Sequence, residues 1–98
     1  MHWPYLQDEA ERWKDRGNRL SKEPSSLDLA IDCYSLALKY ADEKDLKATI
    51  LSNRSLMYKN TARYEEALCD AQRCVENKPN WEKVKRGLFA FTFVRVEM

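Results

Sequence analysis

One pattern occurs twice in this chain, and it leaves few folds open. Trp13-Lys14-Asp15-Arg16-Gly17-Asn18 is followed by Ala30, Tyr34 and Ala37; Leu51-Ser52-Asn53-Arg54-Ser55 is followed by Tyr58, Ala67, Ala71, Cys74 and Pro79. Ala30 and Ala67 stand 37 residues apart. A period in the thirties, with small residues at helical steps, is the mark of stacked helix pairs. A lone pair cannot bury its apolar face, so neighbouring pairs must stack on one another. Such arrays present an extended surface for peptides or partner proteins and carry no chemistry of their own.

The apolar spacing predicts helices over about 7–21, 27–41, 45–60 and 64–77. Leu6, Ala10, Trp13, Gly17 and Leu20 recur at three- and four-residue steps, as do Leu27, Ala30, Ile31, Tyr34, Ala37, Leu38 and Ala41. His2-Trp3-Pro4-Tyr5 reads as a lead-in, with Pro4 in or just before the first turn. Pro24 stops the first helix, and Ser26 is placed to cap the second. Asp42-Glu43-Lys44-Asp45 and Asn60-Thr61-Ala62-Arg63 read as connections, and Asn80 is placed to cap a fifth helix from Trp81. That last segment changes character at Gly87. Leu88-Phe89-Ala90-Phe91-Thr92-Phe93-Val94 has no polar stripe and suits a strand as well as a helix. The organisation is therefore a lead-in over 1–7, helix pairs over 8–41 and 45–79, and a divergent capping segment over 80–98.

These residues resemble the tetratricopeptide repeat, a helix-turn-helix unit that stacks into a right-handed superhelix. Trp13, Gly17, Leu20, Ala30, Tyr34 and Ala37 stand at its signature positions in the first unit, with one extra residue between Gly17 and Ala30. Leu51, Ser55, Tyr58, Ala67, Ala71, Cys74 and Pro79 do so in the second, and the resemblance covers about residues 8–86. It implies an all-α fold of about five antiparallel helices, with small side chains where helices cross and Trp13, Tyr34, Tyr58 and Tyr64 filling the larger gaps.

In that architecture the first helix of each unit lines a concave surface, here presenting Lys14, Asn18, Ser21, Ser52, Asn53, Leu56, Lys59, Lys83 and Arg86. Lys14-x-x-Gly17-Asn18, Ser52-Asn53-Arg54 and Trp81-x-Lys83 resemble the three elements of the carboxylate clamp of co-chaperone tetratricopeptide domains. The resemblance implies that Lys14, Asn18, Asn53, Lys83 and Arg86 hold the acidic Glu-Glu-Val-Asp tail of a heat-shock chaperone, extended, in a basic groove. The lysines would supply point charges, and the asparagine amides would donate to carboxylate or peptide oxygens. The chain departs from the pattern at one position. The clamp arginine falls on Gly87, and Arg86 stands one residue early, a turn of about 100° around the helix. Arg86 either reaches the groove three residues after Lys83 or points away from it. The rival reading is a tetratricopeptide scaffold for a partner other than a chaperone, or one that self-associates through its Phe-rich end.

Other classes find little support in the residues. Seventeen basic and sixteen acidic side chains give a net charge of +1, without the basic run of a nucleic-acid binder. His2 is the sole histidine, so Ser-His-Asp or Cys-His catalysis lacks a placed base, and no glycine-rich phosphate loop occurs. The carboxylates read as exposed helix-face residues. Cys33, Cys69 and Cys74 lack zinc-ligand spacing and read as buried small hydrophobes of a reducing compartment. No metal or cofactor is expected. The N-terminus lacks the pattern of a signal peptide, and the apolar stretch from Gly87 to Val94 is too short to cross a bilayer. The expectation is a soluble cytoplasmic monomer, with neither nucleic acid nor membrane as a partner. Trp3 and Tyr5 either pack back on the first helix or stay mobile. Phe89, Phe91 and Phe93 suit a cap over the fourth helix, ahead of a dimer contact or an aggregation-prone tail. The third unit reads as cut short, as in a fragment of a longer protein.

Overall fold

A computed structural model describes residues 4–80. They form α1 (Pro4–Leu20), a 3-10 turn (Pro24–Ser26), α2 (Leu27–Tyr40), α3 (Lys44–Asn60) and α4 (Tyr64–Asn77), with no strand among the described residues. α1 packs on α2, α3 on α4, and α2 on α3, so two helix pairs stack through their inner members. This is the all-α helix-pair repeat that the duplicated pattern predicts. The fifth helix and the Phe-rich segment lie outside the described residues, as does Trp3.

Gly17 explains the first pair. A Cβ built on it would meet Cε1 of Tyr34 at 2.7 Å and Cδ1 at 2.9 Å, closer than real side chains approach. The helix accepts the propensity cost of glycine, about 1 kcal/mol, because only a bare Cα lets the Tyr34 ring lie against it. Ala10, Ala30 and Ala37 have no exposed surface at the same crossing. The second pair meets through a different group. Ser55 occupies the corresponding place, and its hydroxyl donates to the Ala67 carbonyl at 2.7 Å. Ala67 is fully buried, and so is Cys74, whose thiol donates to the Ala48 carbonyl. Among the described residues, Tyr34, Ile50, Leu51 and Cys74 are the largest wholly enclosed side chains.

The ends of the helices differ in detail from the sequence reading. α1 begins at Pro4, not at residue 7, because proline at the first helical position fixes φ and lacks an N–H that would otherwise go unpaired. Ser26 precedes α2 without a side-chain capping bond. It closes the 3-10 turn, with φ −117° and ψ 15°, and lacks the extended backbone that aims a capping oxygen at the helix. α3 starts at Lys44, inside the segment read as a connection, with extended Glu43 before it. Its other end is a Schellman turn: Arg63 N–H donates to the Tyr58 carbonyl at 2.7 Å, and Ala62 N–H to that of Lys59 at 3.0 Å. Ala62 holds φ 62°, a left-handed conformation that such turns usually give to glycine. The Arg63 guanidinium closes the motif by lying 4.7 Å from the centre of the Tyr58 ring.

Two expectations about burial need correction. Cys33 and Cys74 are buried and Cys69 is exposed, so the three thiols are not one buried set; all are unbridged. Asp70 is not an exposed helix-face carboxylate but is only 3% exposed. It falls between Ala67 and Cys74 on the inward stripe of α4, and α3 supplies its counter-charge. Trp13 is half-buried against the core and Tyr64 is half-buried, whereas Tyr34 and Tyr58 are buried.

Candidate functional site

The last turn of α1 and the middle of α3 carry the residues that the repeat pattern singles out. Asn18 lies two residues before the end of α1, and its backbone carbonyl, one of those that a helix end leaves unpaired, accepts the Ser21 hydroxyl at 2.7 Å. Its side chain joins three helices. Oδ1 of Asn18 accepts the Tyr34 hydroxyl from α2 at 2.5 Å and Nδ2 of Asn53 from α3 at 3.0 Å. Asn18 and Asn53, read as separate ligand donors, are thus direct partners across the stacked pairs.

Lys14 lies one turn before Asn18 on the same face of α1. Its side chain is 18% exposed, with Nζ 2.9 Å from Oε2 of Glu11 and 3.8 Å from Oδ1 of Asp15. The stem is largely covered and the head is paired with Glu11. An anion arriving there would compete with Glu11 for it. Ser52 is half-buried, and Leu56, one turn on, is half-exposed. Lys83 and Arg86 lie outside the described residues.

Arg54, the third residue of the Ser52-Asn53-Arg54 motif, is held between helices. It turns away from the face that carries Asn53 and meets Asp70 of α4 with two parallel bonds, Nε to Oδ2 at 2.6 Å and Nη2 to Oδ1 at 2.7 Å. Its third edge donates to Oγ of Ser35 on α2 at 3.0 Å. Burial works against the Arg54 charge, and the Asp70 carboxylate outweighs it, so the guanidinium is more firmly protonated than usual. Spacing carried one clue to this pair: a carboxylate standing on a stripe of small inward residues requires a cation to meet it.

The electrostatics around Asn18 favour neutral donors. Burial pushes the Tyr34 phenol above its ordinary value, against the opposing effect of the nearby Ser21 hydroxyl. Tyr34 therefore remains a hydrogen-bond donor throughout the neutral range. Burial also raises the Cys33 thiol, against Arg16 and Arg19. A separate hollow of about 410 Å³ runs along α1, lined by Glu9, Arg12, Trp13, Asp15, Arg16 and Arg19. Lys14, Asn18 and Asn53 are not among its lining, and among the described residues its walls come from α1 alone. Among the described residues no group of His, Cys, Asp and Glu is arranged to hold a metal ion, and no helix is long and apolar enough to cross a membrane.

No protein-family model matches the chain, and no solved structure matches it. Among curated proteins, Protein unc-45 homolog B of Xenopus laevis is 35% identical over 63 residues, 64% of this chain and 7% of that protein. Heat shock protein STI1 of Saccharomyces cerevisiae is 30% identical over 74 residues, and the Heat shock protein sti1 homolog of Schizosaccharomyces pombe 34% over 74, each covering 76% of this chain and 12% of the relative. The chain thus spans about a tenth of the length of the relatives it matches. With the stacked helix pairs, these similarities support a tetratricopeptide-like repeat domain.

Proposed function

We propose that the chain is a protein-interaction module that binds the acidic C-terminal tail of a heat-shock chaperone, of Glu-Glu-Val-Asp type, in extended form. The observation that supports this reading is the Asn18–Asn53 bond at 3.0 Å, with Lys14 one helical turn before Asn18 in α1. It brings together amides from the two helix pairs. Two of the similar proteins are named as heat shock proteins, which supports chaperone-associated work for this chain as well.

The chemistry follows from what a polypeptide end offers. A terminal Asp carries two carboxylates close together, and both are acceptors only. Lys14 supplies a point charge, and Asn18 and Asn53 supply amide hydrogens. Lys83 and Arg86 are the residues we assign to the opposite side. Each charged hydrogen bond contributes about 1.5–3 kcal/mol, and a few of them, less the cost of ordering the peptide, give micromolar binding, about −8 kcal/mol. The module binds rather than catalyses, needs no cofactor, and works in the cytoplasm.

Calorimetry with a Met-Glu-Glu-Val-Asp peptide and its C-terminal amide tests the reading. Binding that requires the free carboxylate, weakens with salt and falls in Lys14→Ala supports it. Equal affinity for the two peptides, or none for either, favours a scaffold for some other partner.

A further inference from the structure

We infer that Tyr34 is a positioning residue that sets the ligand selectivity of the site: its buried hydroxyl fixes which edge of the Asn18 amide a ligand meets, so that the site favours a free carboxylate over a primary amide. The inference rests on the carboxylate-binding reading above and deepens it.

A side-chain amide has an acceptor edge and a donor edge of nearly the same shape. Two asparagines in contact can therefore bond in either sense: if both flip, the Asn18–Asn53 bond survives with donor and acceptor exchanged. That pair alone cannot decide what it shows a ligand. Tyr34 breaks the symmetry. Its hydroxyl lies 2.5 Å from Oδ1 of Asn18, a length typical of a hydroxyl donating to oxygen and short for an amide N–H donating to oxygen. Tyr34 is 1% exposed, and its ring is held against Gly17, so the hydroxyl cannot swing out to water. With Tyr34 on one lone pair and Nδ2 of Asn53 on the other, Oδ1 of Asn18 is saturated. The edge left for a ligand is Nδ2, which no bond uses among the described residues. A carboxylate accepts from that edge through either oxygen. A primary amide offers one acceptor and one donor and gains less from it.

Tyr34→Phe removes the hydroxyl and leaves the ring. In calorimetry of the whole chain, wild type prefers the free-acid Met-Glu-Glu-Val-Asp peptide to its C-terminal amide. Tyr34→Phe loses roughly three- to tenfold affinity for the acid, the range of one hydrogen bond, and keeps its affinity for the amide, so the ratio of the two collapses. A ratio unchanged from wild type overturns the inference and leaves the carboxylate reading standing. A wild-type protein that does not distinguish the two peptides overturns both. Asn18→Asp is the second variant, because it keeps acceptors for both Tyr34 and Asn53 and replaces the donor edge with an anionic oxygen. It is expected to keep its melting temperature and to lose at least about tenfold in affinity for the acid peptide. Wild-type affinity in that variant also overturns the inference.

Discussion

Arg54 meets Asp70 edge to edge, at 2.6 and 2.7 Å, with side chains 13% and 4% exposed. The pair joins α3 to α4, and the bond from Arg54 to Ser35 extends it to α2. Removing one partner leaves the other charged and enclosed, which costs about 3–5 kcal/mol. Asp70→Ala is expected to lower stability by that amount in urea denaturation. A double variant, Arg54→Met with Asp70→Leu, is expected to recover most of the loss, since an apolar pair of similar volume avoids the desolvation of two ions.

Gly17→Ala places a methyl group 2.7 Å from the Tyr34 ring, which is enclosed and has little room to retreat. The expected cost is about 1–3 kcal/mol from overpacking. The displaced ring also draws its hydroxyl from Asn18, so acid-peptide affinity falls along with the melting temperature. A variant that melts with wild type would contradict the close approach.

Ala62 offers the opposite change. It holds φ 62° at the left-handed position of the Schellman turn that ends α3. Left-handed backbone costs a residue with a Cβ about 1–2 kcal/mol, partly offset by the greater freedom of glycine in the unfolded chain. Ala62→Gly is therefore expected to stabilise the protein by about 0.5–1 kcal/mol, read as a higher urea midpoint at unchanged slope.

Alkaline pH should weaken the fold. Burial raises Tyr34 above its ordinary value of 10.0 and Cys33 above its ordinary value of 9.0. Both groups keep their protons longer folded than unfolded. Their contribution is complete below those ordinary values and is lost as pH rises through the higher folded ones. Stability measured by urea titration should hold through neutral pH and fall above about pH 9, and Tyr34→Phe should remove the part of the decline that sets in above about pH 10.

Much of the fold was legible because its determinants are local. The repeat, the crossing at Gly17 and the span of α4 follow from small residues at helical steps, which sequence displays directly. What was not legible depends on partners far along the chain. Asp70 reads as surface until Arg54 is seen beneath it, sixteen residues away. Asn18 and Asn53 read as two ligand donors, with a helix-to-helix hydrogen bond as the alternative for Asn53, and spacing does not say that the two meet across 35 residues. Cys69 and Cys74 differ by one face of a helix, and a count of cysteines does not carry that distinction.

Arrays of helix pairs ordinarily fray from their ends, each unit holding only to its neighbour. The guanidinium of Arg54 works against such unzipping. Its planar head, rooted in the second module and paired with Asp70 inside it, also reaches Ser35 on a strut of the first, so the first module cannot peel off without stripping the guanidinium of that hydroxyl. Amide hydrogens in α2, α3 and α4 should then exchange through one shared opening event, and damage at Asp70 should be felt two rods away.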